Sequence, residues 1–138
     1  MRRLVAVCLV GLATLAVGTQ AAFAGSPHFV QDVTISRDGN SLTVQGKEAG
    51  LGNEAQVHIV VTATAACINP GSNHPKAANK ESVSAAGDFP VQNGKAEFSL
   101  TVTATFQPDC TPPMTVVFSD VTVTDETSGI SKSFPGTY

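Results

Sequence analysis

A strict two-residue alternation of apolar and polar side chains runs from residue 95 to residue 106. The apolar positions are all even-numbered: Ala96, Phe98, Leu100, Val102, Ala104 and Phe106. Successive side chains of a β-strand point to opposite faces, so this period places one face in a core and the other in water. A helix would spread the same apolar residues around its whole circumference. The segment therefore predicts a half-buried strand.

Further strands are predicted on both sides of this one, with turn residues between them. They span residues 29–35, 41–47, 56–66, 89–91, 115–124 and 130–134. Asp38 and Gly39 between the first two runs are a strong hairpin signal. Residues 57–61 are apolar on both faces, which predicts a central place in a sheet for the strand 56–66. The alternation slips near Ser119 and Asp120, which predicts a bulge.

About seven short strands separated by turn residues predict an all-β domain, an immunoglobulin-like β-sandwich with one disulfide. Two irregular stretches interrupt the strand pattern, residues 48–54 and the loop from Cys67 to Lys80. The second contains two prolines, a glycine and three asparagines, which disfavour regular structure.

The N-terminal 24 residues carry the marks of a secretory signal peptide. Arg2 and Arg3 precede an almost unbroken apolar run, and small residues stand at the cleavage-site positions before Gly25. We therefore expect a signal peptide over residues 1–24 and a single secreted domain over residues 25–138, with no membrane attachment after cleavage.

Two cysteines remain after signal removal, Cys67 and Cys110. In an oxidising compartment two cysteines allow one intramolecular pairing, so we predict a Cys67–Cys110 disulfide. The pair is far apart in sequence, unlike the C-x-x-C of redox-active sites.

The formal net charge is −3 for the full chain, and −5 for residues 25–138, which hold six Lys/Arg and eleven Asp/Glu. A mildly acidic chain without a basic stripe argues against nucleic acid and anionic membranes as partners. The acidic residues are scattered, which predicts a solvated surface. Asp120, Asp125 and Glu126 lack calcium-loop spacing, so a solvated face is expected there too.

Five short segments of the chain resemble a group of small secreted bacterial proteins, mainly of actinomycetes. They are SPHF at 26–29, KEAGL at 47–51, CINPG at 67–71, AANK at 77–80 and PGTY at 135–138. The resemblance covers essentially the whole mature chain. It implies secretion and a compact β domain, and it implies no catalytic or binding residue.

The three histidines offer little for catalysis or metal binding. His58 lies in the predicted central strand and is expected to be half-buried and structural. His28 is near the new N-terminus, but Pro27 lacks the amide nitrogen that a terminal copper or nickel site needs. No catalytic motif fits the chain, so we expect no catalytic residue, no cofactor and no metal.

These observations favour a secreted, monomeric, non-enzymatic domain that binds a protein or a cell-wall glycan. The candidate binding residues are those of the second irregular stretch: Asn69, Asn73, His74, Lys76, Asn79 and Lys80. Polar loops on a rigid sandwich suit recognition. The alternative is a structural or stress-related envelope protein without a ligand pocket, and a small secreted hydrolase is a distant third.

Overall fold

In the computed structural model, residues 25–69 and 79–138 are described, and the predicted signal peptide lies outside them. Eight strands run through these residues. They are β1 (His28–Phe29), β2 (Thr34–Asp38), β3 (Ser41–Ala49), β4 (Gln56–Ile68), β5 (Lys80–Pro90), β6 (Ala96–Thr103), β7 (Thr115–Asp125) and β8 (Ile130–Phe134). Within the same residues no helix is long and apolar enough to cross a membrane.

The strands form two antiparallel sheets that pack as a β-sandwich. In the first sheet β3 is central, with β6 on one side and both β1 and β2 on the other. The second sheet has the order β5-β4-β7-β8. The predicted all-β sandwich is confirmed, and so is the central place of β4 in its sheet.

The core lies between the sheets and follows the predicted alternation. On β6 the even-numbered side chains are buried and the odd-numbered ones exposed. Ala104 and Phe106 remain buried although β6 ends at Thr103. From the second sheet, the fully buried residues include Val57, Ile59 and Val61 of β4 and Phe118, Val121 and Val123 of β7.

Several predicted strand limits were wrong. The predicted strand 29–35 is two strands, because residues 30–33 leave the ladder between β1 and β2. The methyl group Cγ2 of Val33 fills the space where a side chain at Gly46 would stand, 2.8 Å from that Cβ position. A break in pairing at this point thus places Val33 against β3.

The predicted short strand 89–91 is the end of the eleven-residue β5. Its inward positions include Ala85 and Gly87, so the apolar alternation is weak in the sequence. Backbone pairing along β4, from Gln56 with Pro90 to Ala66 with Lys80, forms the strand instead. The predicted irregular stretch 67–80 is wrong at both of its ends, because β4 continues to Ile68 and β5 begins at Lys80.

The predicted bulge in β7 is confirmed. The register of β4 against β7 shifts between Thr62 and Thr64, and Asp120 adopts a left-handed φ of 52°. The extra residue restores the inward phase, so that Phe118 before the bulge and Val121 after it are both fully buried.

The Cys67–Cys110 disulfide is confirmed, with the two Cα atoms 5.8 Å apart. Cys67 is buried near the end of β4, and Cys110 lies in the irregular segment between β6 and β7. We call this end of the sandwich, comprising Asn69, Asn79, Lys80 and residues 104–114, the disulfide end. The opposite end, where β3 and β7 finish and β4 begins, is called the acidic end.

Candidate functional site

Three of the six candidate binding residues belong to the described disulfide end. Asn69 is exposed just after β4, Asn79 is half-buried, and Lys80 is exposed as the first residue of β5. Lys80 pairs with Ala66, next to the disulfide cysteine. The other three, Asn73, His74 and Lys76, lie in residues 70–78, outside the described part of the chain.

The segment between β6 and β7 supplies the second half of the disulfide end. Residues 107–109 and 111–113 are exposed, and three of these six are prolines. A turn closes the segment, since Met114 N donates to Thr111 O at 2.9 Å. Met114 Sδ lies 3.7 Å from Cys67 Sγ. The disulfide and this turn hold an exposed polar surface on the rigid end of β4.

At the acidic end, His58 stands between two carboxylates on the outer face of the second sheet. Its Nδ1 lies 2.8 Å from Asp88 Oδ1, and its Nε2 lies 3.8 Å from Glu126 Oε2. The His58 side chain is 42% exposed. The prediction of a half-buried histidine is thus confirmed. Its two acidic neighbours are distant in sequence, and only the fold brings them close to the ring.

Backbone hydrogen bonds fix His58 against the turn that follows β7. The His58 N–H donates to Thr127 Oγ1 at 2.9 Å, and Glu126 N–H donates to the His58 carbonyl at 2.9 Å. The pKa of His58 is raised, above all by the hydrogen bond to Asp88 and further by the charges of Asp88, Glu126 and Asp125. Partial desolvation opposes this rise.

Two further carboxyl groups of this end are buried in the core. Glu48 of β3 and Asp125 of β7 are both 0% exposed, and they are the fully buried acidic residues of the described chain. The predicted solvated surface is therefore wrong at both positions. Glu48 shares the inward phase of Leu42 and Val44, and Asp125 that of Val121 and Val123. Extending these alternations locates both residues on the inner face, whereas the glycines after Glu48 favour the predicted irregular stretch 48–54.

The buried carboxyls are only partly satisfied. Asp125 Oδ1 accepts hydrogen bonds from Thr127 N at 2.8 Å and Ser128 N at 3.1 Å. Asp125 Oδ2 and both Glu48 oxygens have no hydrogen-bond partner of standard geometry among the described residues. The pKa of Glu48 is raised to about 8, chiefly because burial disfavours its charged form, and further because the Asp125 carboxyl lies beside it.

An open groove of about 760 Å³ runs beside β3 at the same end. Phe89 and Phe98 contribute to its lining, their rings packed edge to face with centroids 6.3 Å apart. Lys47 and Glu97 on its rim form an exposed ion pair at 3.1 Å. The lining includes neither His58 nor Asp88. The groove and the His58–Asp88 pair are therefore separate features of this end.

Over residues 25–69 and 79–138, no group of three or more His, Cys, Asp or Glu side chains is arranged to hold a metal ion. Comparisons with protein-family models, with curated proteins and with solved structures find no match to this chain.

Proposed function

We propose that the chain is an exported, non-enzymatic recognition domain that binds an envelope protein or a wall glycan through its disulfide end. The observation that carries the proposal is the Cys67–Cys110 bond, which ties the end of the central strand β4, where Asn69 is exposed, to the exposed residues on both sides of Cys110. Side chains held on a rigid scaffold lose less conformational entropy when they bind.

The chemistry of the described surface supports polar recognition. Asn69 and Lys80 are exposed on one side of the disulfide, and Gln107, Asp109 and Thr111 on the other. They offer amide, ammonium, carboxylate and hydroxyl groups to a polar partner. Proline neighbours restrict the backbone of the second segment before any partner binds.

The test is capture of a partner by the mature domain, with variants at the two ends of the sandwich. Asn69→Ala/Lys80→Ala removes two exposed side chains from the disulfide end. Asn53→Ala/Lys95→Ala is the matched control, because Asn53 and Lys95 are also exposed but belong to the acidic end. The probes are isolated peptidoglycan sacculi and, separately, cross-linking to envelope proteins on intact secreting cells.

We expect sacculi or one cross-linked protein to retain the wild type and the control, and the disulfide-end variant to lose at least tenfold in retention. Equal retention of all three proteins would contradict recognition at this end. No retention by sacculi and no cross-linked protein would favour the structural envelope protein without a ligand.

A further inference from the structure

The acidic end contains two buried carboxyl groups, one from each sheet, that lie beside each other. Glu48 belongs to the central strand of one sheet and Asp125 to an inner strand of the other. Both are completely buried, and three of their four oxygens lack a partner among the described residues. Two adjacent buried carboxylates cannot both be ionised without a large cost, and one proton between them relieves it.

The hydrogen bonds indicate which group keeps the charge. Two backbone N–H groups, of Thr127 and Ser128, donate to Asp125, and such donors stabilise a carboxylate. Glu48 has no equivalent donor. Glu48 is therefore the member of the pair that holds the proton.

We propose that Glu48 and Asp125 share one proton and thereby form a pH-dependent interlock between the two sheets, which opens locally around β1 when the proton is lost. This inference is independent of recognition at the disulfide end, which lies at the other end of β4.

The place of Glu48 in the first sheet explains why β1 is the part that opens. Glu48 pairs through its backbone with Phe29 of β1 and Ala96 of β6. β1 has only two residues, and its pairing is extended by one further bond, from Val30 N to Lys47 O at 2.9 Å. An element held by so few bonds opens at a small fraction of the cost of unfolding the whole domain.

Solvent is close to this part of β3. Glu48 and Val30 both belong to the lining of the groove beside β3. A Glu48 carboxylate needs water, and lifting β1 from β3 widens the groove toward it. Opening at β1 thus hydrates the new charge while the rest of the core stays packed.

Neighbouring charges do not replace the proton. The ionisable side chains around the pair are exposed or, for His58, half-buried on the outer face of the sheet: His28 on β1, Asp32 before β2, Lys47 on β3, Glu54 before β4, His58 on β4, Asp88 on β5, Lys95 and Glu97 at β6, Glu126 after β7, and Lys132 on β8. None of them contributes to the raised pKa of Glu48, for which Asp125 is the one charged neighbour. A bound cation is disfavoured because no third acidic, histidine or cysteine ligand joins the pair within the described residues.

The sign of the pH dependence follows from the direction of the shift. The folded state holds the Glu48 proton up to a pKa of about 8, whereas an ordinary glutamate carboxyl has a pKa of 4.5. The stabilisation is complete below pH 4.5, declines as the pH rises toward 8, and does not change further above that. One proton difference makes the unfolding equilibrium constant rise about tenfold per pH unit across this window.

The experiment is urea unfolding of the mature domain at half-unit steps from pH 5 to pH 9, for the wild type, Glu48→Gln and Glu97→Gln. Gln keeps the size of protonated Glu but cannot ionise, and Glu97 is the control because it is exposed on the neighbouring strand. Since His58 also has a raised pKa and loses stability in the same direction, all three proteins retain His58.

We expect the unfolding equilibrium constant of the wild type and of Glu97→Gln to rise at least a hundredfold between pH 5 and pH 8. For Glu48→Gln the constant should rise only by the small amount that His58 contributes. In the wild type, hydrogen-exchange protection of the Val30 amide should fall between pH 6 and pH 9 and stay well below that of Val61 of β4, whose protection should fall only by as much as the global unfolding constant rises. Parallel slopes for wild type and Glu48→Gln would overturn the proposal.

Two further measurements keep the proposal testable if Glu48→Gln does not fold. Carboxyl ¹³C NMR of the wild type should show one glutamate that titrates well above the others, and ordinary titration of every glutamate would overturn the proposal. Stability measured at pH 9 with added Ca²⁺ or Mg²⁺ should match that with Na⁺ at equal ionic strength. If a divalent ion restored stability at pH 9 and Na⁺ did not, the two carboxyl groups would form a cation site and the shared proton would be ruled out.

Discussion

At the scale of single residues, backbone conformation and burial decide which positions tolerate change. Gly50 and Gly129 have nearly the same left-handed φ, 74° and 72°. They differ in what a side chain would meet. A Cβ at Gly50 would stand 2.1 Å from the carbonyl oxygen of Ser26, whereas a Cβ at Gly129 would meet nothing within 4 Å.

We therefore expect Gly129→Ala to cost about 1–2 kcal/mol, the backbone penalty of a left-handed alanine. Gly50→Ala should cost clearly more, because residue 26 must move away and β1 moves with it. Urea unfolding measures the difference between the two variants. Exchange of the Val30 amide should be faster only in Gly50→Ala, and equal destabilisation by both variants would show that Ser26 does not confine Gly50.

At the scale of elements, stability is concentrated in the inner strands of the second sheet. β4 and β7 pair along most of their length, and Phe118 of β7 is 0% exposed between the sheets. The last strand, β8, is short, and among the described strands it pairs only with β7. Its Phe134 is half-buried and lies under the Lys132 ammonium, 5.5 Å from the ring centroid.

Truncation of the two phenylalanines should show how much more β7 contributes to stability than β8. We expect Phe118→Ala to destabilise the domain by about 3–5 kcal/mol, because the change leaves a cavity in the core. Phe134→Ala should cost less than half as much, since its ring is already partly hydrated. Chemical unfolding at pH 6 compares the two variants, and a larger loss for Phe134→Ala would place the main core elsewhere.

The predictability of the elements also follows from their packing. β6 lies wholly within the predicted strand 95–106, which extends one residue before it and three residues past it, because large apolar residues alternate with polar ones along the whole segment. β5 was missed over most of its length because Ala85 and Gly87 occupy its inward face, where Phe89 and Leu100 fill the space beside Gly87. Small residues give little apolar alternation in the sequence, so the formation of this strand depends on its pairing with β4.

At the scale of the whole molecule, one covalent bond and one buried polar pair act at opposite ends of the sandwich. The disulfide closes a loop with a sequence separation of 43. In the chain-entropy model a loop of this length stabilises the folded state by up to about 4 kcal/mol, a large part of the usual total of about 5–15 kcal/mol.

We expect Cys67→Ala/Cys110→Ala to lower the free energy of unfolding by about 2–4 kcal/mol and the midpoint of thermal unfolding correspondingly. Reductant should shift the wild type in the same direction and leave the variant unchanged. A wild type that is insensitive to reductant would mean that the bond is absent from the purified protein.

Alternation and the number of cysteines are local features that leave few solutions, and the fold class, the central strand and the cysteine pairing could therefore be predicted from the sequence. The remaining features depend on the register and packing of the strands. Glu48 and Asp125 are distant in the chain and unremarkable in composition, and only the packing of β3 over β7 buries them together. In the same way, backbone pairing of β4 with β5 places Asp88 against His58, since contacts between strands depend on which residues lie opposite each other and not on their own hydropathy.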